Sequence, residues 1–229
     1  MSNLLYFSEH TLQEIALVFM ATVYFLRIRW YLKWPLAKER QPATGLGDTN
    51  PKKGEKYSLK NVISPWEMES TRSKPGMYIQ FVLFHLGVVA AIALSFIIPY
   101  GPGLLKSAAF VKIIQFLVGA ACIVGIMRII RRNANPYIRS ISSPDDHFSL
   151  ILLTVWFAFA FMAAPNNISG GEGIMLTYFL LTAFFLMYVP FSKISHYLYY
   201  PFTRTYLGRH FGRRGVFPIR RKPAYQVTK

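Results

Sequence analysis

The 229-residue sequence contains a single cysteine, Cys122, and this residue lies inside a long hydrophobic run. One cysteine excludes an intramolecular disulfide framework, a Cys-x-x-Cys redox pair and a cysteine-ligated iron–sulfur cluster. Internal repeats and low-complexity tracts are also missing from the sequence. The chain therefore lacks the sequence features of disulfide-rich, iron–sulfur and repeat proteins.

Acidic residues are scarce as well. Ten Asp and Glu stand against 26 Lys and Arg, which gives a formal net charge of +16, although 53% of the residues are hydrophobic. A soluble basic protein of this length is rarely so apolar, so the charges must be segregated from hydrophobic segments. Five nearly uncharged runs approach the ~20 residues that a membrane-spanning helix needs. They are Thr11–Trp30, Met77–Tyr100, Ala108–Met127, Phe148–Ala164 and Gly173–Val189. Backbone groups in lipid must be satisfied within the segment, so we predict an all-α integral membrane protein with five transmembrane helices.

The basic residues predict the orientation of these helices. All of the 26 Lys and Arg except Lys106 and Lys112 fall within 27–76, 128–146 or the segment from residue 191 onward. A five-helix topology places these three segments on one side, so the positive-inside rule predicts the N-terminus outside and the C-terminus in the cytoplasm. The first run is not expected to be a cleaved signal, because Glu14 lies early in it and no small-residue cleavage site follows.

This asymmetry also argues against a nucleic-acid partner. The tail segment "TRTYLGRHFGRRGVFPIRRK" resembles an RNA-binding arm when taken alone. Next to a membrane helix, its charges are explained by orientation and by contact with anionic lipid or a partner protein. We therefore divide the chain into a membrane domain over residues 1–200 and a basic cytoplasmic tail over residues 201–229.

The membrane domain includes a long cytoplasmic loop over residues 35–75. Pro35 is expected to end the first helix, and "QPATGLGDTNPKKGEK" is rich in turn formers, which predicts a surface loop. Ser64 and Pro65 predict the start of a short interfacial helix in "SPWEMES". The loop is either a docking segment for a soluble partner or a passive linker, and the sequence favours neither.

The fourth and fifth helices carry clear boundary signals. In "SSPDDH", Ser143 is expected to cap the fourth helix, Pro144 to take its first position, and two aspartates to lie in its first turn. Pro190 is expected to kink the fifth helix. The sequence "HYLYY" predicts that this helix continues until Pro201.

Two of the five histidines are candidates for a function, because ionisable residues inside a membrane are costly and usually have a functional role. His85 lies within the second hydrophobic run, and His196 lies at the inner end of the fifth helix. The other three, His10, His147 and His210, are most simply interpreted as solvated or interfacial residues. Two neutral imidazoles that face each other across a bundle can hold a haem iron from both sides. The alternatives are that His85 hydrogen-bonds a neighbouring helix and that His196 is an interfacial residue.

The surroundings of His85 are compatible with either interpretation. Gly87, Ala90 and Ala91 leave room for a flat macrocycle or let another helix approach closely. Basic residues near the inner boundary offer partners for haem propionates. These are Arg128, Arg131, Arg132 and Lys193.

Three segments resemble one family of membrane cytochromes. "LFHLGVVAAIALSF", "RRNANPYIRSISSPDDHFSLILL" and "MYVPFSKISHYLYY" occur in this order, and the resemblance covers about residues 77–200. They resemble the gamma subunit of respiratory nitrate reductase and its relatives in sulfate reducers. Those relatives are the membrane subunits of the high-molecular-weight cytochrome complex and of the sulfite-reduction-linked complex. The resemblance implies a five-helix subunit with its N-terminus outside, in a bacterial or archaeal cytoplasmic membrane.

The resemblance also implies a ligand set. Members of the nitrate reductase branch hold two b haems, each between a histidine of helix 2 and a histidine of helix 5. His85 and His196 match the pair nearer the cytoplasm, whereas Ser95 and Tyr178 stand at the positions of the outer pair. Neither serine nor tyrosine is an expected ligand of a b haem. The resemblance therefore implies one b haem, near the cytoplasmic side, with His85 and His196 as axial ligands.

The resulting expectation is an electron-transfer subunit of a complex for anaerobic respiration. It would carry electrons between menaquinol, or a periplasmic multihaem cytochrome, and a cytoplasmic iron–sulfur protein, alongside other membrane subunits. Candidates for a quinone site near the outer surface are Lys106, His10 and Glu14. Candidates for docking the iron–sulfur protein are Arg204, Arg209, Arg213 and Arg214.

Two other classes compete with this function. The first is a haem-free structural anchor that holds soluble redox subunits at the membrane. A transporter or channel is disfavoured, because the hydrophobic runs offer few polar groups for a path near the midplane.

Overall fold

The computed structural model describes residues 1–34, 40–45, 48–64, 66 and 69–219, and it includes no side-chain description for residues 69 and 70. The predicted helix end at Pro35, the predicted helix position of Pro65 and residues 220–229 of the predicted tail lie outside these residues. Within the described ranges every regular element is helical. The α-helices are α1 (Asn3–Glu9), α2 (Thr11–Lys33), α3 (Pro51–Ile63), α4 (Glu69–Arg72), α5 (Pro75–Tyr100), α6 (Ala108–Ala134), α7 (Pro136–Ser140), α8 (Pro144–Ala163), α9 (Gly173–Tyr188) and α10 (His196–Arg213).

The predicted all-α class and the five long apolar helices are confirmed. Among the residues that the structure describes, five segments are long and apolar enough to cross a membrane, namely Asn3–Lys33, Pro75–Tyr100, Ala108–Ala134, Pro144–Ala163 and Gly173–Phe191. Several extend beyond the predicted runs because charged residues remain helical at their ends, as in α6 past Arg128. The direction in which the helices cross the membrane stays a prediction.

Sequence signals set the start of α8 as expected. Ser143 is the N-cap, Pro144 follows, and the Ser143 backbone N–H donates to the Asp146 carboxylate at 2.8 Å. The arrangement is a capping box, which satisfies donors that have no partner inside the helix.

The chain forms two compact units. The first comprises Met1–Arg29 and Gly76–Ser195, and the second comprises Trp30–Pro75 and His196–Lys229, of which residues up to 219 are described. The first unit therefore contains most of the apolar helices. The second contains segments of the predicted cytoplasmic loop together with segments of the predicted tail.

In the first unit, α5 and α6 approach each other closely at Gly87. A Cβ atom on Gly87 would lie only 2.1 Å from the Ala121 Cβ and 3.1 Å from the Leu117 carbonyl oxygen. Glycine is therefore required by this contact, as is common where membrane helices pack through small residues. Of the two sequence expectations for the small residues near His85, close helix approach is the one observed at Gly87.

The fifth hydrophobic helix is interrupted where the kink was predicted. Helix α9 ends at Tyr188, and two 3₁₀ turns, Val189–Phe191 and Lys193–Ser195, precede α10. The expected end at Pro201 is wrong, because α10 continues through Pro201 to Arg213. Packing of α10 against α3 offsets the missing backbone donor of the proline.

In the second unit, α3 packs along α10 through small residues. A Cβ atom on Gly54 would lie 2.3 Å from the Gly208 carbonyl oxygen and 2.6 Å from the Gly212 Cα. The predicted surface loop "QPATGLGDTNPKKGEK" is thus wrong from Pro51 onward, where a helix capped by Asn50 begins. Likewise Ser64 is the C-cap of α3 rather than the start of a new helix.

Candidate functional site

His85 lies in the first half of α5, and its side chain is half-buried. Its Nδ1 lies 2.7 Å from the Phe81 carbonyl oxygen, one turn earlier in the same helix. A carbonyl oxygen only accepts, so Nδ1 must carry the proton that it donates, and in a neutral imidazole the lone pair is then on Nε2. In metal sites of proteins, a hydrogen bond from the ring nitrogen that does not bind the metal commonly orients the histidine in this way.

Two aromatic rings lie beside His85, and the Arg128 guanidinium lies over one of them. The imidazole centroid lies 4.0 Å from the Phe81 ring and 6.3 Å from the Phe84 ring. The Arg128 guanidinium lies 4.9 Å from the centroid of the Phe84 ring. Among the four cations considered for propionates, Arg132 contacts Ser142 and Lys193 contacts Asp146, whereas Arg128 lies next to the aromatic neighbours of His85.

The positions corresponding to the second ligand pair are occupied by close packing. Tyr178 of α9 is fully buried, and its hydroxyl donates to the Ala91 carbonyl of α5 at 2.7 Å. Ser95 is buried too, and its hydroxyl donates to the Ile92 carbonyl at 2.7 Å. The Tyr178 hydrogen bond joins α9 directly to α5, whereas the Ser95 hydrogen bond stays within α5.

Aromatic packing continues from Tyr178 into α8. The Trp156 indole stacks on Tyr178 with centroids 6.5 Å apart and on Phe185 with centroids 5.2 Å apart. Its N–H donates to the Thr182 hydroxyl at 2.8 Å, and Thr182 donates to the Tyr178 carbonyl at 2.8 Å. Buried polar groups at this level are therefore paired within the protein, as close packing requires.

His196 is the first residue of α10, and its side chain is exposed. It belongs to the second unit, whereas His85 belongs to the first. The other two histidines of the segments predicted to be cytoplasmic, His147 and His210, lie in local surroundings of their own. His147 lies in the first turn of α8, and the His210 ring lies 4.2 Å from Tyr206.

Two of the three quinone-site candidates, His10 and Glu14, lie around one tyrosine. The His10 ring stacks on Tyr100 with centroids 5.6 Å apart, and the Tyr100 hydroxyl donates to the Glu14 carboxylate at 2.9 Å. The His10 Nδ1 atom is buried and has no hydrogen-bond partner among the described residues. Lys106, the third candidate, ends the exposed 3₁₀ turn Pro102–Lys106 that follows α5.

Sequence reasoning missed the other members of this group. Glu9 is buried at the end of α1, and Tyr6 packs against His10 with ring centroids 4.6 Å apart. Gln13 is buried, and its amide donates to the Ser8 and Phe179 carbonyls at 2.9 and 2.8 Å. The signal in the sequence was the concentration of titratable side chains within residues 6–14 of an otherwise apolar segment.

Three of the four docking candidates make contacts inside the second unit. The Arg204 guanidinium donates to the Ser58 carbonyl at 3.1 and 3.2 Å, and Arg209 forms a bidentate pair with Glu55 at 2.8 and 3.3 Å. This carboxylate raises the pKa of Arg209 above its ordinary value. Arg214 donates to the Thr44 hydroxyl at 3.3 Å, whereas Arg213 is exposed. The guanidinium groups of Arg204 and Arg209 therefore link α10 to α3, and that of Arg214 contacts Thr44 in the segment before α3.

Comparisons with protein-family models, with curated proteins and with solved structures find no match to this chain. The resemblance to membrane cytochrome subunits therefore stays a hypothesis, carried by the three sequence segments.

Proposed function

We propose that this chain is a membrane cytochrome b-type subunit that transfers electrons through one b haem held by His85 and His196. The single observation that carries the proposal is the hydrogen bond from the His85 Nδ1 to the Phe81 carbonyl. In a neutral imidazole it places the lone pair on Nε2, the nitrogen that would bind iron, and it orients the ring by a contact inside its own helix. The choice of His196 as the second ligand rests on the resemblance, because His85 and His196 belong to different compact units.

The chain's residues fit the requirements of such a group one by one. A bound b haem supplies one-electron chemistry, and the protein orients it and tunes its potential. Phe81 and Phe84 provide an apolar wall beside the imidazole, and Arg128 provides a cation for a propionate. The packed Tyr178 and Ser95 positions support one haem rather than two.

The electron partners follow from the same proposal. On the outer side, His10, Glu14 and Lys106 are the candidates for exchanging protons with menaquinol, and the contact between Tyr100 and Glu14 adds Tyr100 to this group. On the cytoplasmic side, a basic surface that includes Arg213 would dock an iron–sulfur protein. The complex would belong to the bacterial or archaeal cytoplasmic membrane, with other membrane subunits or a periplasmic cytochrome as further partners.

Haem stoichiometry tests the proposal directly. The purified chain, expressed with haem supplied, should give a reduced-minus-oxidised b-type spectrum and a pyridine haemochrome value near one haem per polypeptide. His85→Ala and His196→Ala should each abolish the signal, because a single imidazole leaves one axial position without a protein ligand. His147→Ala and His210→Ala are the matched controls and should retain it. Normal haem in either of the first two variants would overturn the ligand pair.

Orientation has its own test. A tag placed after Lys229 should be protected from external protease in intact cells and digested in inverted vesicles, as the positive-inside rule predicts. Digestion in intact cells would reverse the sides assigned to the quinone and iron–sulfur partners.

A second function, the haem-free anchor, is favoured by one observation. Loop and tail segments fold together through Gly54, Gly208 and Gly212, which is a compact platform rather than a passive linker. If the chain is such an anchor, Gly208→Leu should separate α3 from α10 and release a bound soluble subunit. An anchor is the correct function if the wild-type chain folds without haem and still retains that subunit.

A further inference from the structure

The segment before His196 is held by contacts from two other helices. Its backbone is irregular between Tyr188 and His196, where two 3₁₀ turns replace an α-helix. Irregular backbone at a membrane boundary has carbonyl and N–H groups that need partners. Those partners identify what fixes the segment.

Two aspartates at the start of α8 provide the first set of partners. The Lys193 backbone N–H donates to the Asp145 carboxylate at 3.1 Å. The Tyr188 hydroxyl donates to the other oxygen of Asp145. The Lys193 ammonium donates to Asp146 at 2.9 Å and to the Ser143 hydroxyl at 2.7 Å. We call Asp145, Asp146 and Lys193 the acidic clamp.

Helix α2 provides the second set of partners. The Arg27 guanidinium donates to the Pro190 carbonyl and lies 5.0 Å from the centroid of the Phe191 ring. The Tyr24 hydroxyl lies 3.4 Å from the Ser195 hydroxyl, which in turn donates to the Val189 carbonyl at 2.6 Å. The chain is thus fixed up to the residue that immediately precedes His196.

From this geometry we infer that the acidic clamp is a positioning device for His196. It fixes the backbone up to Ser195, the residue to which His196 is covalently joined. The inference rests on the proposed function, because it assigns the positioned ring to haem iron. Charge-assisted hydrogen bonds suit the task, since they are shorter and stronger than neutral ones.

The variants separate the contacts of the clamp. Lys193→Met removes both ammonium contacts and changes a largely exposed side chain, so the fold should be retained. Asp145→Ala leaves the ammonium contacts in place and removes the acceptor for the Lys193 backbone N–H and for the Tyr188 hydroxyl. Lys193→Arg keeps the positive charge and is the rescue variant. Lys112→Met is the matched control, since Lys112 is an exposed lysine of α6 that lies outside the clamp.

Two measurements on the full-length, haem-supplied chain decide the inference. Hydrogen–deuterium exchange should rise about tenfold over residues 189–197 in Lys193→Met and Asp145→Ala, because charged hydrogen bonds are lost. The ferric haem should show altered g-values and a shifted midpoint potential, since both depend on the axial imidazole. Lys193→Arg should restore both readouts, and Lys112→Met should change neither.

The outcomes distinguish the inference from the function on which it rests. Unchanged exchange in both clamp variants would overturn the clamp itself. Faster exchange with unchanged g-values and potential in haem-loaded protein would overturn only the positioning of His196. A wild-type chain that binds no haem would overturn the proposed function, and with it the assignment of the clamp to an iron ligand.

Discussion

The two ends of helix α5 differ in what surrounds their polar side chains. At the Ser95 end, Tyr178 is 0% exposed and bridges α9 to α5 by a hydrogen bond to the Ala91 carbonyl. At the His85 end, the imidazole is half-buried, and its bond to the Phe81 carbonyl stays within α5. At the Ser95 end a fully buried tyrosine packs between two helices, whereas at the His85 end a half-buried imidazole lies beside aromatic rings.

This difference concerns how the space between the helices is filled. Protein interiors are close-packed, so the space between helices is filled either by side chains or by a ligand. Large aromatic side chains, Trp156 and Tyr178 among them, fill the Ser95 end. The free energy of unfolding of the haem-free chain should therefore depend strongly on Tyr178 and only weakly on the His85 side chain.

The largest expected effect is at Tyr178. Tyr178→Ala removes a fully buried ring and should lower the free energy of unfolding by about 3–5 kcal/mol, the usual loss for a large aromatic side chain in a core. Reversible unfolding of the haem-free chain in detergent measures this loss. Tyr137→Ala is the matched control, because Tyr137 is 83% exposed and lies outside the packed aromatic group. Equal destabilisation by the two substitutions would contradict the comparison.

The helices of this molecule could be predicted because their signals are local. Length and hydropathy are sufficient for five apolar helices, and the capping box at Ser143 is contained in four consecutive residues. The bond from His85 to Phe81 also follows from helix geometry, since residues four apart share a face.

Contacts between distant segments could not be predicted in the same way. Gly54 and Gly208 are separated by most of the chain, so their close approach leaves no local pattern, and a segment rich in turn formers was predicted as a loop. The end of α10 was misplaced for the same reason, because packing on α3 overrides the helix-breaking tendency of Pro201. The hydrogen bond from Tyr178 to the Ala91 carbonyl joins residues 87 positions apart, so the sequence alone could not predict it either.

An intermediate effect is expected when only the Tyr178 hydroxyl is removed. Tyr178→Phe retains the ring but loses the donor to the Ala91 carbonyl, which should cost about 1 kcal/mol. The same unfolding measurement applies, with Tyr137→Phe as control. A loss as large as that of Tyr178→Ala would mean that the hydrogen bond, rather than the packing of the ring, fixes this end.

A smaller effect is expected at the other end of α5. His85→Leu in haem-free protein should change the free energy of unfolding by no more than about 0.5 kcal/mol, because the ring is half-buried and its acceptor lies in the same helix. A loss above about 2 kcal/mol would place His85 among the packing residues and weaken the case for an iron ligand.

The smallest effect concerns a surface contact made by the segment that leads into α9. The Ser2 backbone N–H donates to the Glu172 carboxylate at 2.7 Å, and the Ser2 hydroxyl donates to its other oxygen. These bonds lower the pKa of Glu172 below its ordinary value of 4.5. At pH values above the ordinary pKa of Glu172, the contact therefore contributes its full stabilisation of the folded state. This stabilisation is lost as the pH falls through the lowered pKa of the folded protein.

Glu172→Gln tests this contact. The melting temperature of the variant should lie slightly below that of the wild type at neutral pH, and the gap should close under acidic conditions as the wild-type carboxylate becomes protonated. The carboxylate is solvent-accessible, so salt should also narrow the gap. A gap that widens on acidification would reverse the sign of the linkage. A loss in melting temperature as large as that caused by Tyr178→Ala would contradict the ranking of this exposed contact below buried aromatic packing.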